Sequence, residues 1–229
     1  RSNKDLSEIE EIEGKKCRVF NFPTDSSIGY IAPNKAVEKK IKVSTGASKR
    51  LDQPAKGKIV WPADQPVSFT GGIQITNFPE IYEHFDDEAI ASLTLKGAKR
   101  LPAIETLAKW PNLRWLTLQD CELDAKYTKG LNQLKHLQSL TLNQTKTQLD
   151  LRSATLPANA MKELSQIKSL FSLSVDRAKY KPESLFDLGT SVSVRKIYVS
   201  PDNPTDQMLG RFRKRFPNIK IVRKETKGL

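Results

Sequence analysis

Leu113-Arg114-Trp115-Leu116-Thr117-Leu118-Gln119-Asp120-Cys121 is the stretch on which the fold of this chain turns. Two leucines one residue apart follow an apolar residue placed three positions before the first of them. The arrangement returns as Leu137, Leu140, Leu142 and again as Leu170, Leu173, Val175. Further apolar residues extend each copy backwards at every third position: Leu107 and Trp110, Leu131 and Leu134, Leu164 and Ile167. In a strand, alternate side chains share a face, so each leucine pair marks a short strand with one buried side.

The strand pairs extend in both directions as Leu93/Leu95, Leu116/Leu118, Leu140/Leu142, Leu173/Val175, Ile197/Val199 and Ile219/Ile221, with starts 23, 24, 33, 24 and 22 residues apart. All but one interval fit the roughly 20–29 residues of a leucine-rich repeat. The long interval contains Asn143 to Ala158, a polar stretch read as a loop insertion of about nine residues, tolerated because loop entropy grows slowly with length. Accidental leucine periodicity in an ordinary α/β domain is the alternative, and near-constant spacing over six strands argues against it. The outermost units are degenerate, as capping repeats are.

Between strands, Asp124–Leu134, Pro157–Ile167 and Pro204–Phe216 have the length of helical returns, and Glu80–Ala91 reads as a helical lead-in. Asn203-Pro204-Thr205-Asp206 predicts a helix start, with Asn203 as N-cap and Pro204 at the first helical position. The expected fold class is therefore α/β: a leucine-rich-repeat solenoid of about six short parallel strands with outer helices, preceded by a small β-rich N-terminal cap. The returns place it nearer to ribonuclease-inhibitor-like repeats than to repeats with 3₁₀ returns. The inward ladder position after each strand holds Ala98, Cys121, Thr145 and Ala178, small residues that make Cys121 a buried packing thiol.

The N-terminal third reads differently. Residues 1–14 are polar and acidic, a linker or frayed helix, and 15–79 form a small module of short runs broken by Pro and Gly. Those runs are Cys17–Phe22, Ile28–Ile31, Ile41–Val43, Lys58–Trp61, Val67–Phe69 and Ile73–Ile75, expected to pair antiparallel and to cover the open edge of the repeat sheet. The repeat domain then occupies 80–229.

Two segments of that module carry a resemblance. Phe22-Pro23-Thr24-Asp25-Ser26-Ser27-Ile28-Gly29 and Ala55-Lys56-Gly57-Lys58-Ile59-Val60-Trp61-Pro62-Ala63, followed by repeats, resemble bacterial leucine-rich-repeat proteins common in planctomycetes. Trp61 departs from the aliphatic residue usual there, and Leu123-Asp124-Ala125-Lys126 keeps only part of the usual helix start. The resemblance spans about Phe20 to Ile221. It implies a binding role in an extracytoplasmic (periplasmic or cell-surface) setting and names no partner.

Charge separates the two ends. Residues 1–90 hold 13 Lys/Arg against 14 Asp/Glu, whereas 91–229 hold 25 against 12. The excess is densest at Arg211, Arg213, Lys214, Arg215, Lys220, Arg223 and Lys224, a basic end suited to acidic glycans, nucleic acid or anionic lipid, or else a solvated cap. No apolar run approaches the roughly 18 residues of a membrane span. Cys17 and Cys121 allow one disulfide at most.

Enzyme chemistry finds no pattern. His84 and His136 stand alone, there is no Gly-x-Ser-x-Gly elbow or phosphate loop, and Asp86-Asp87-Glu88 reads as an acidic first turn of a helix. Neither a cofactor nor a metal is expected. Strand alternation instead places Trp115, Thr117, Gln119, Thr141, Ser174, Lys196 and Tyr198 on the open face of the sheet. Its middle column reads Thr94, Thr117, Thr141, Ser174, Tyr198, Lys220, and Trp115 and Tyr198 are the aromatic anchors an interface would use. The primary expectation is a non-enzymatic module docking an unknown protein or peptide there; the alternative is a polyanion bound at the basic end.

Overall fold

The computed structural model describes residues 6–33, 53–72, 75, 78–121, 123–143, 156, 159–175, 178, 180–201 and 204–223. Ile41–Val43, most of the polar insertion including Thr145, Asn203 and Lys224 lie outside the described residues. The chain forms two compact units, Arg1–Arg114 and Trp115–Leu229, each a mixture of strands and short helices.

In the N-terminal unit, Ser7–Ile12 (β1) pairs antiparallel with Lys15–Asn21 (β2), and β2 with Lys58–Pro62 (β5). Glu13 and Gly14 join β1 to β2 with φ of 52° and 73°, the mirror-image turn whose twist matches that of paired strands. Strand β1 corrects the reading of this stretch as linker or frayed helix. Leu6, Ile9 and Ile12 are spaced by three, which mimics a helical face, and pairing with β2 overrides that local signal.

The remaining strands, Gly29–Pro33 (β3), Gln53–Pro54 (β4), Val67–Gly71 (β6) and Ile90–Lys96 (β7), follow the order β7-β6-β3-β4. β3 is antiparallel to both β4 and β6, while β6 runs parallel to β7, so this part of the module is not purely antiparallel. One edge of β7, the strand of Leu93 and Leu95, is thereby paired rather than open.

The two resemblance segments meet. Phe22 N–H donates to the Gly57 carbonyl at 3.0 Å, Gly57 N–H to Pro23 at 3.0 Å, Ile28 N–H to Ala55 at 3.1 Å and Ala55 N–H to Gly29 at 2.9 Å. Gly29 is required by close approach: a Cβ there would lie 2.1 Å from the Thr70 carbonyl oxygen.

The expected helix over Glu80–Ala91 is a 3₁₀ turn, Pro79–His84, followed by the strand that starts at Ile90. The Asp86 carboxylate accepts from Glu88 N–H at 2.7 Å, so the acidic cluster closes a local turn instead of opening a helix. Behind these elements Phe20, Phe22, Phe69, Tyr82, Phe85 and Trp110 are buried, with ring centroids 5.1–6.4 Å apart along the cluster. The Arg18 guanidinium lies beneath β2, 1% exposed, held by the Ala63 carbonyl at 2.9 Å and the Asp86 carboxylate at 3.5 Å.

The C-terminal unit contains Trp115–Gln119 (β8), Ser139–Asn143 (β9), Ser172–Ser174 (β10), Lys196–Val199 (β11) and Lys220–Arg223 (β12), each parallel to the next. Their register aligns Leu116, Leu140, Leu173, Ile197 and Ile221 in one buried column. The last pair is corrected from Ile219/Ile221 to Ile221/Arg223, because Val199 stands opposite Arg223. A slip of two residues keeps the same face buried, so alternation alone cannot detect it. Ile219 is buried just before the strand, its N–H bonded to Phe216.

The returns are short: Ala125–Gly130 running into a 3₁₀ turn Leu131–Gln133, Ala160–Ser165, a 3₁₀ turn Pro182–Ser184 running into Leu185–Leu188, and Asp206–Arg215. Asp124 caps the first through its carboxylate, 2.6 Å from Tyr127 N–H. The last helix is capped by Thr205 rather than Asn203, its hydroxyl 3.4 Å from Met208 N–H. Pro204 is buried, and its carbonyl accepts from Arg223 at 2.8 Å, which fixes the chain outside the helix for one more residue. Neither Cys17 nor Cys121 is in a disulfide; Cys121 is buried and donates to the Gln119 carbonyl at 3.3 Å.

Candidate binding surface

Opposite the buried column, the strands of the C-terminal unit present aligned rows. Trp115, Ser139, Ser172, Lys196 and Lys220 form one row, and Thr117, Thr141, Ser174, Tyr198 and Val222 the next. Val222 replaces Lys220 in the middle row, a consequence of the corrected register of β12. Trp115, Thr117, Gln119, Thr141, Lys196 and Tyr198 are all half-buried, whereas Ser174 is 4% exposed and offers nothing to a ligand. Ser174 stands in register between Thr141 and Tyr198.

Lys196 and Tyr198 act as a pair. The lysine Nζ lies 4.7 Å from the centre of the tyrosine ring, so cation–π attraction holds the ammonium over an aromatic face. Lys196 and Lys220 are direct neighbours across β11 and β12, two like charges side by side. Such a pair is destabilising in isolation and favours a carboxylate or other anion between them.

Among the described residues, the charges of the basic end differ in what they engage. Arg211, Arg213, Lys214, Arg215 and Lys220 are exposed. Arg223 is half-buried, ion-paired to the Asp206 carboxylate at 2.9 Å and bonded to Pro204, so it straps β12 to the start of the last helix. Arg211 and Arg215, one helical turn apart, both lie over the Phe186 ring, at 5.8 and 5.9 Å, and Arg215 also over Phe216, at 5.4 Å. Phe186, Phe212 and Phe216 pack together with centroids 4.9–6.2 Å apart.

Two open clefts flank this ring group. One, of about 550 Å³, is lined by residues that include Val192, Arg195, Arg215 and Phe216. The other, of about 450 Å³, is lined by residues that include Glu183, Phe186, Met208 and Arg211. Sequence reading did not single out Phe186, Val192, Arg195 or Phe216. They lie on three separate segments, and only the Phe212/Phe216 spacing of four hinted at an aromatic helix face.

Among the described residues, no group of three or more His, Cys, Asp and Glu side chains is placed to hold a metal ion. Likewise no helix there is long and apolar enough to cross a membrane. Among the described residues, Tyr180 is the one titratable side chain whose proton affinity clearly departs from the ordinary: burial pushes its phenol pKa up.

No protein-family model matches the chain, and no curated protein matches it. Among solved structures it is similar to an internalin (inlF) from Listeria monocytogenes, at 16% identity over 66% of this chain and with a TM-score of 0.28. The match spans about half of that chain, 52% of its length.

Proposed function

We propose that this chain is a non-enzymatic leucine-rich-repeat module, its C-terminal strands forming a solenoid that docks a protein or peptide on its open sheet face. The reading rests on one observation above others: the in-register rows of β8 to β12, with Trp115 and the Lys196–Tyr198 pair rising from rows of short hydroxyl side chains. Large aromatics on an exposed strand face supply contact area at little entropic cost, which is why they anchor interfaces. Thr117, Thr141 and Gln119 beside them supply hydrogen bonds without bulk.

A photo-reactive phenylalanine placed in turn at Thr117, Tyr198 and the exposed return residue Lys162 tests this. Cross-links to one protein from Thr117 and Tyr198, absent from Lys162, are expected. Cross-linking from Lys162 alone would overturn the reading.

The exposed Arg211, Arg213, Lys214 and Lys220 favour a second reading, polyanion binding at the last helix. Bound phosphates or sulfates release counterions, so heparin binding would fall steeply with salt. An Arg213→Glu/Lys214→Glu variant would lose it. Heparin binding unchanged in that variant, or absent at moderate salt, would leave those charges as a solvated helix face.

A further inference from the structure

The loops that precede β11 and β12 enclose the larger cleft, and its chemistry is distinct from that of the open sheet face. Arg195 and Arg215 line it, both exposed, and among the described residues no carboxylate lines it. Among the described residues neither arginine is in an ion pair. Arg195 spends one Nη on the Val194 carbonyl at 3.1 Å. Arg215 lies over Phe216 and Phe186, whose ring faces attract the guanidinium without using its N–H donors. A planar, pre-set guanidinium is the geometry that captures a carboxylate with two parallel hydrogen bonds.

Besides Ser191 and Asn218, the rest of the cleft is an apolar wall held in place. Val192 is 76% exposed, an unusual position for a branched aliphatic side chain, and Phe216 and Pro217 complete the wall. Phe216 is seated on Gly189, where a Cβ would come within 2.2 Å of the ring. The loop is tied down by Ser193, whose hydroxyl donates to the Ile167 carbonyl at 3.0 Å.

We propose that this cleft binds an acidic peptide segment of a partner protein, a carboxylate on Arg195 and Arg215 with an adjoining apolar side chain on Val192 and Phe216. Charge complementarity carries the choice of occupant. A nucleic-acid backbone needs a row of phosphate contacts, whereas this cleft offers two guanidiniums beside an apolar wall.

The test is fluorescence anisotropy of a short fluorescein-labelled peptide alternating Asp or Glu with Phe or Leu, titrated with the full chain. Saturable binding is expected, with an Asn/Gln version of the peptide binding about tenfold or more weaker, the scale of a charge-assisted hydrogen bond. Val192→Asp, on a side chain too exposed to matter for folding, and Arg195→Gln/Arg215→Gln are each expected to weaken binding by at least that factor. Trp115→Ala is expected to leave it unchanged, which separates this site from the open sheet face. Four results would overturn the proposal: no saturable binding, equal binding of the amide peptide, full binding by Val192→Asp, or displacement of the peptide by oligothymidylate at lower concentration than by unlabelled peptide.

Discussion

The N-terminal unit fills its interior with rings, Phe20, Phe22, Phe69, Tyr82, Phe85 and Trp110, whereas the strands of the C-terminal unit are aliphatic on every rung from Leu116 to Ile221. The difference follows from how strands find partners. In the C-terminal unit each strand lies beside its predecessor, so the same small, stackable side chain suits every rung. In the N-terminal unit β2 pairs with β5 across a long stretch of chain, and β6 switches from antiparallel to parallel partners. The space left there is irregular, and large rings meeting at tilted angles fill it. A repeated interior tolerates change locally; a ring cluster shares the consequences.

The largest expected effect tests that contrast. Phe69→Ala removes a ring 1% exposed and in contact with three others, and is expected to cost ~3–5 kcal/mol in urea unfolding. Phe69→Ala with Phe85→Ala should depart from additivity by about 0.5–3 kcal/mol, since the rings touch. Leu116→Ala with Ile197→Ala, separated by the rungs of β9 and β10 and with no register partner in common, should add within ~0.5 kcal/mol. Additive rings and coupled leucines would break the comparison.

Next comes Asp86→Ala, expected to cost ~2–3 kcal/mol by leaving the Arg18 charge buried with only the Ala63 carbonyl. Arg18→Met in the same background should recover much of that loss, because the cost lies in the uncompensated charge. No recovery would mean that packing of the arginine stem dominates.

Smaller still, Gly14→Ala isolates a backbone cost. Among the described residues beyond its chain neighbours no atom lies within 4 Å of the added Cβ, so the ~1–2 kcal/mol expected comes from the left-handed φ. In the C-terminal unit Asp124→Ala should cost about 1 kcal/mol through the lost cap. Circular dichroism melts of both variants, with Asp124→Asn as the conservative control, measure the two devices side by side.

The smallest effect is Tyr180→Phe at neutral pH. Its buried hydroxyl has no partner among the described residues, so removing it should leave stability unchanged or slightly raised. At alkaline pH the variant should differ. Burial raises the folded-state pKa above the unfolded value near 10, so the unfolded chain releases its proton first. The stability contribution is complete below pH of about 10 and declines as pH rises beyond it. Tyr180→Phe should therefore flatten the alkaline loss seen in urea midpoints between neutral pH and pH of about 11; an identical slope would remove Tyr180 from the account.

Legibility from sequence followed the same divide. The apolar pairs of β8, β9 and β11 and Leu173 of β10 stand at the spacing read from the sequence because each rung repeats the last, while Val175 falls just beyond β10. At β12 two overlapping apolar pairs, Ile219/Ile221 and Ile221/Arg223, fit the same alternation, and only pairing with Val199 selects one. Parity groups Trp115, Thr117, Gln119, Thr141, Lys196 and Tyr198 on the side of the strands opposite the leucines, yet it does not show that Ser174 is covered. The basic end was visible as a charge count, but the strap that removes Arg223 from it, and the rings beneath Arg211 and Arg215, needed the packed chain.

By itself the sequence determined what is local and periodic: short strands with one aliphatic face, the spacing between them, and the charge difference between the two halves. Tertiary structure decided what depends on distant partners. Ile9 and Ile12 became part of a strand because β2 lies beside them. The acidic Asp86 became the counter-charge of a buried arginine. Arg195 and Arg215, twenty residues apart, came to line one cleft because parallel strands bring successive loops to the same end of a sheet.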